Sequence, residues 1–156
     1  VPRRSPPEAA VEAAPFRVRV GVDIVDVARL ERLLDDNPSA AGELFTAAEW
    51  AYCGGKRRRG EHLAARFAAK EAVLKAFGTG LSGRMRWTDV EIVNTPLGRP
   101  VVRLDGAVAA RARDRGVRDV DVSLTHTAGM ALAHAVVVSR IETGSTERRD
   151  SGCASI

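Results

Sequence analysis

The sequence predicts a single α+β domain, with helices packed against one face of a largely antiparallel sheet. Three observations predict it. Residues 61–77 carry the longest helical pattern, with Leu63, Phe67, Leu74 and Phe77 on one stripe. Runs rich in β-branched residues recur at 17–24, 90–93, 101–104, 120–125 and 130–139. Several of these runs are joined by tight turns, Pro96-Leu97-Gly98 and Thr127-Ala128-Gly129, which suit antiparallel neighbours.

In chain order, residues 17–24 read as a strand in which Asp23 stands where alternation would allow another apolar side chain. Val27, Leu30, Leu33 and Leu34 then define an amphipathic helix ending before Pro38, with Asp26 as its N-terminal cap. Thr46 and Glu49 have the spacing of a capping box for a short helix bearing Trp50. The main helix stops at Gly78-Thr79-Gly80, since glycine after the last periodic residue adopts the left-handed cap and a second one lets backbone approach a ligand. Within it, Lys70 falls on the apolar stripe, where it must snorkel outward or meet a buried anion. The strands at 90–93 and 101–104 precede an arginine-rich helix at 106–115, and the last two strands follow. No internal repeat is present.

At 156 residues and 45% hydrophobic, the chain can bury one core. Residues 1–15 hold four of the seven prolines and residues 141–156 are small and polar, so both ends are expected to be disordered arms flanking a domain at 16–140. No apolar run reaches membrane-spanning length and the first residues lack the long apolar stretch of a secretion signal, which gives a cytoplasmic expectation and no membrane partner. Cys53 and Cys153 have no metal-ligand spacing and make no disulfide framework, so free thiols are expected.

The chemistry gathers on Asp23, Glu71 and Lys75. Each has an ordinary explanation alone: Glu71 and Lys75 at i,i+4 are the stabilising pair of a solvated helix, worth about 0.2–0.5 kcal/mol, and Asp23 could end a strand. Jointly, two carboxylates on different elements can hold a hard divalent cation, which completes its shell with water and substrate phosphate. A lysine one turn on supplies a point charge for that phosphate.

Taken with Val20-Gly21-Val22-Asp23-Ile24, the segments Leu63-Ala64-Ala65-Arg66-Phe67-Ala68-Ala69-Lys70-Glu71-Ala72, Lys75-Ala76, Gly78-Thr79-Gly80 and Ser123-Leu124-Thr125-His126-Thr127 appear in an order that resembles the holo-acyl-carrier-protein synthase type of 4'-phosphopantetheinyl transferase. Residues 87–92 and Gly98-Arg99-Pro100 resemble its intervening strand and turn, and the likeness covers about residues 18–140. Ala65 departs from it, standing where many members have glycine.

The resemblance implies a 4'-phosphopantetheinyl transferase-like fold and magnesium-dependent transfer of 4'-phosphopantetheine from coenzyme A to a serine of an apo acyl carrier protein. The products are holo carrier and 3',5'-ADP, in fatty-acid (lipid) or polyketide biosynthesis. It implies Asp23 and Glu71 as magnesium ligands, Glu71 also as general base, and Lys75 on the pyrophosphate. Arg66 and His126 are implied as further phosphate contacts, with Gly78, Thr79, Gly80 and Pro100 bordering the nucleotide. It further implies a homotrimer with sites shared between subunits, and contact between Arg29 and the acidic helix of the carrier.

The basic balance, 24 Lys plus Arg against 20 Asp plus Glu, leaves the run Lys56-Arg57-Arg58-Arg59 open between a solvated loop, a phosphate contact and a carrier contact. His62 and His134 have no partner pattern and read as structural. A nucleic-acid-binding module is the rival class, because a basic loop and an arginine-rich helix can track phosphates. Aromatic content of 4% gives few stacking platforms, and no helix-turn-helix or zinc pattern is present, so no nucleic-acid partner is expected. A catalytically silent relative is the other alternative, against which Asp23, Glu71 and Lys75 are all retained.

Overall fold

The computed structural model describes residues 15–127 and 129–141, so the expected arms lie outside the described residues but for Pro15 and Ile141. The elements run β1 (Phe16–Asp26), α1 (Val27–Asp36), α2 (Ala40–Leu44), α3 (Ala47–Gly54), α4 (Arg59–Phe77), β2 (Val90–Asn94), β3 (Pro100–Leu104), α5 (Gly106–Asp114), β4 (Val117–Thr127) and β5 (Met130–Arg140), with a 3-10 turn at Trp87–Asp89 before β2. Where a single sheet was expected, there are two: a three-stranded sheet ordered β1-β5-β4 and a separate β2-β3 ribbon, with every pairing antiparallel.

The centre is α4, which is enclosed far beyond its expected stripe. Ala64, Ala65, Ala68, Ala69, Ala72 and Ala76 are buried along with Leu63, Leu74 and Phe77. Small side chains let the sheet come close. On β1, the face turned to α4 carries Gly21, Asp23 and Val25, while Val18, Val20, Val22 and Ile24 point away and are exposed. A Cβ on Gly21 would stand 2.0 Å from the Ala72 carbonyl oxygen, so only glycine permits this contact. The inner residues of β5 are small in the same way, Ala131, Ala133 and Ala135 being wholly buried. The strand's apolar alternation therefore marks the face away from the core, because at the point of closest approach to α4 the inner face must carry glycine.

Lys70 meets its anion. Its side chain is 0% exposed, with Nζ 2.7 Å from Glu49 Oε2 and donating to the Trp87 carbonyl at 3.0 Å. Burial pulls the ammonium pKa below the ordinary lysine value, and Glu49 opposes that shift. Glu49 also completes the predicted capping box of α3 and accepts from the Ile92 amide at 2.9 Å. One carboxylate thus ties α3, α4 and β2 together. The five-residue α2 and the 3-10 turn were not expected, since segments so short show too few periods to read.

Candidate active site

Asp23 lies on the inner face of β1, opposite α4. Glu71 and Lys75 lie one turn apart on α4. The close approach permitted by Gly21 brings the three together: Lys75 Nζ donates to Asp23 Oδ1 at 2.7 Å and to the Val22 carbonyl at 3.2 Å. The Glu71 carboxyl is raised above the usual glutamate value, chiefly by burial and then by the Asp23 charge, with Lys75 opposing. Lys75 is held above its ordinary value, first by its hydrogen bond to Asp23. Two carboxylates facing one another carry a repulsion that a divalent cation would relieve. Among the described residues no three or more His, Cys, Asp or Glu are placed to hold a metal ion by themselves, so a cation here would take its remaining oxygens from water and substrate. The donor set fits a hard cation on those terms.

Asp23 and Glu71 open onto a groove of about 780 Å³ walled by Leu30, Leu33, Phe67 and Met130, with Arg29 and Arg32 at its edge. Asp26, predicted to be a cap, is one: it accepts from the Arg29 amide at 2.8 Å and fixes the start of α1 beside the groove.

The remaining site residues fall into two groups. Arg66 is buried, its guanidinium donating to Asn94 Oδ1 at 2.6 Å and stacked 4.2 Å from the Tyr52 ring centroid. His126 Nδ1 lies 2.9 Å from Glu61 Oε2, and its ring centroid is 5.6 Å from that of His62. Pro100 pairs in register with Asn94, on the same side as Arg66. Gly78, Thr79 and Gly80 are at the other end of α4, Gly78 as a left-handed cap (φ 70°). At 1.5 Å per residue, Arg66 and Gly78 are about 18 Å apart along the helix. The carboxylates and Lys75 stand between, and Asp23 and His126 are about 12 Å apart across the sheet by strand spacing and register. The chain therefore brings Asp23, Glu71 and Lys75 together, and separately Arg66, His126 and Pro100, but does not join the second set to the glycine loop.

Sequence reasoning missed Glu61, Tyr52 and Asn94 as the companions of His126 and Arg66. No spacing in the chain announces them. The run 56–59 is partly engaged: Lys56 Nζ lies 4.3 Å from the Tyr52 ring centroid, and the Arg59 guanidinium 4.0 Å from that of Trp50. Cys53 is a free, buried thiol, and its pKa is raised first by that burial.

The family model described as the 4'-phosphopantetheinyl transferase superfamily matches residues 19–132. The holo-[acyl-carrier-protein] synthase of Moorella thermoacetica is 47% identical over 122 residues, covering 78% of this chain and 94% of that protein. The chain belongs to the holo-[acyl-carrier-protein] synthases of that superfamily. Among solved structures, the holo-[acyl-carrier-protein] synthase of Neisseria meningitidis matches with a TM-score of 0.71 and 31% identity, over 76% of this chain and 96% of that one. A holo-(acyl-carrier-protein) synthase from Bacillus anthracis in complex with CoA (3',5'-ADP) matches at 0.67 and 30% identity, over 80% of this chain and 99% of that one. Each similarity spans nearly the whole length of the synthase compared.

Proposed function

We propose that the chain is a phosphopantetheinyl transferase that moves 4'-phosphopantetheine from coenzyme A to the serine hydroxyl of an apo acyl carrier protein, with magnesium, releasing 3',5'-ADP. The observation that carries the reading is the Asp23–Glu71–Lys75 constellation at the Gly21 contact, seen in a chain of this family.

Asp23 and Glu71 are the residues that would hold magnesium, with the pyrophosphate supplying further oxygens. Bound there, the metal would neutralise charge on the pyrophosphate as the bond to the leaving nucleotide breaks. Lys75, half exposed beside Asp23, can swing its Nζ from that carboxylate to a phosphate oxygen at little cost, since an exposed pair is worth about 0–1 kcal/mol. Glu71 takes the serine proton, directly or through a bound water. Thr79 Oγ1 is buried without a hydrogen-bond partner among the described residues, which supports a ligand at the glycine loop. The carrier could be one of fatty-acid or of polyketide synthesis. Intact-mass analysis of an apo carrier incubated with the protein, coenzyme A and magnesium tests the reading, as set out at the close of the Discussion.

The separation of about 18 Å between Arg66 and Gly78 supports a shared site, since one nucleotide cannot border both ends of α4 in one subunit. The outward face of β1, with Val18 61%, Val20 62% and Ile24 56% exposed, is a surface suited to a neighbouring copy. Light scattering at micromolar concentration is expected to give a trimer of 16.7 kDa subunits, and a fully active monomer would refute the shared site.

Arg29, exposed on α1 at the edge of the groove, is the proposed contact for an acidic helix of the carrier. Reversing its charge adds repulsion at an encounter surface. Arg29→Glu is expected to raise the Michaelis constant for apo carrier several-fold at low salt and to flatten its salt dependence, leaving that for coenzyme A near its original value. An unchanged carrier constant at low salt removes Arg29 from the interface.

A further inference from the structure

His62 lies among Tyr52, Lys56, Arg66 and His126, which come from α3, the α3–α4 connection, α4 and β4. Its ring is edge-on to Tyr52 of α3 (centroids 6.3 Å apart) and to His126 of β4 (5.6 Å). Lys56, from the α3–α4 connection, lies against the same Tyr52 ring, as does Arg66, one turn along α4. Glu61 is the acid in the group, and it is already shared between His126 and Arg58. The Nε atom of Arg66 is buried with no hydrogen-bond partner among the described residues, so a donor in this cluster remains to be satisfied.

We infer that His62 is a proton-accepting contact for the phosphomonoester of coenzyme A, so that this substrate binds together with a proton. The inference rests on the coenzyme A reading above and adds to it a residue that the sequence left as structural. The physical reason is a change in sign of the local field. In the free protein, burial and then Arg66, His126 and Lys56 hold the His62 pKa below the ordinary histidine value, with Glu61 opposing, so the ring is neutral at pH 7. A dianion seated among Lys56, Arg66 and His126 outweighs the positive charge that Arg66 and Lys56 set against the ring and favours the imidazolium, which then donates to it. Between the pKa of the free protein and that of the complex, binding takes up a proton from solvent. Affinity therefore rises as pH falls through the pKa of the complex, by up to about tenfold per pH unit, and levels off below that of the free protein.

Calorimetric titration with coenzyme A at pH 7.5, in buffers of high and low ionisation enthalpy, counts the proton. The expected result is uptake of a fraction of a proton per site by the wild type. The uptake is lost in His62→Gln and absent with dephospho-coenzyme A, which lacks the monoester. A phosphomonoester has its second pKa near 6, so the free ligand is already a dianion at pH 7.5 and its own ionisation does not mimic uptake. His62→Phe keeps a ring against Tyr52 and serves if the glutamine variant fails to fold. Equal uptake by wild type and His62 variants overturns the inference, as does loss of uptake in His126→Gln but not in His62→Gln, or equal uptake with dephospho-coenzyme A. Failure of the wild type to bind coenzyme A at all would instead overturn the proposed function.

Discussion

Asp23→Ala and Glu71→Ala each lower magnesium-dependent transfer by at least ~100-fold while leaving circular dichroism and melting temperature near those of the wild type. The size follows from removing a major electrostatic stabiliser of the reacting phosphates. The unchanged fold follows from where these groups sit. Neither side chain fills core volume, and the Asp23–Lys75 pair is half exposed on its lysine side, so its loss costs about 0–1 kcal/mol. Manganese binding followed by paramagnetic resonance should weaken in both variants, which separates loss of the cation from loss of the base. Near-normal turnover in either one removes the metal site from the account.

Lys70→Met is the substitution expected to do most harm to stability, though it lies beside a site residue and touches no substrate. It leaves Glu49 buried with its amide donors and no counter-charge, a loss of about 3–5 kcal/mol for a broken buried pair. The double variant Glu49→Gln with Lys70→Met removes both charges and keeps an acceptor for the Ile92 amide though not for the Thr46 amide, so part of the loss should return. Urea unfolding of the two single variants and the double gives the coupling directly. Additive losses would mean that the pair does not act as a unit.

Both predictions turn on α4, and the sequence exposed its parts unequally. Glu71 and Lys75 were legible because helical spacing fixes which side chains adjoin, and Asp23 because it is a lone carboxylate where the strand would allow another apolar residue. That these three meet across β1 and α4 depends on Gly21, whose role appears only when the helix backbone is seen against it. Lys70 left open an outward snorkel or a buried anion, and nothing pointed to Glu49, which is 21 positions away on an element whose capping box accounts for the same residue by itself. Tyr52, Glu61 and Asn94 around Arg66 and His126 were invisible for a similar reason: their contacts join α3, α4, β2 and β4, and no periodicity within one element encodes a meeting between four. The β1 alternation was legible as a strand, yet its apolar residues lie on the face opposite to the core, since an alanine-lined helix selects the strand face that carries glycine.

The most direct measurement is the intact mass of an apo acyl carrier protein incubated with coenzyme A, magnesium and either the wild-type protein or Glu71→Gln. With the wild type the carrier gains the mass of one phosphopantetheine, its serine is the modified residue and 3',5'-ADP accumulates in equal amount. With Glu71→Gln, or with the metal chelated, the carrier stays apo over the same time. A carrier left unmodified by the wild type, or modified at the same rate by Glu71→Gln, contradicts the account.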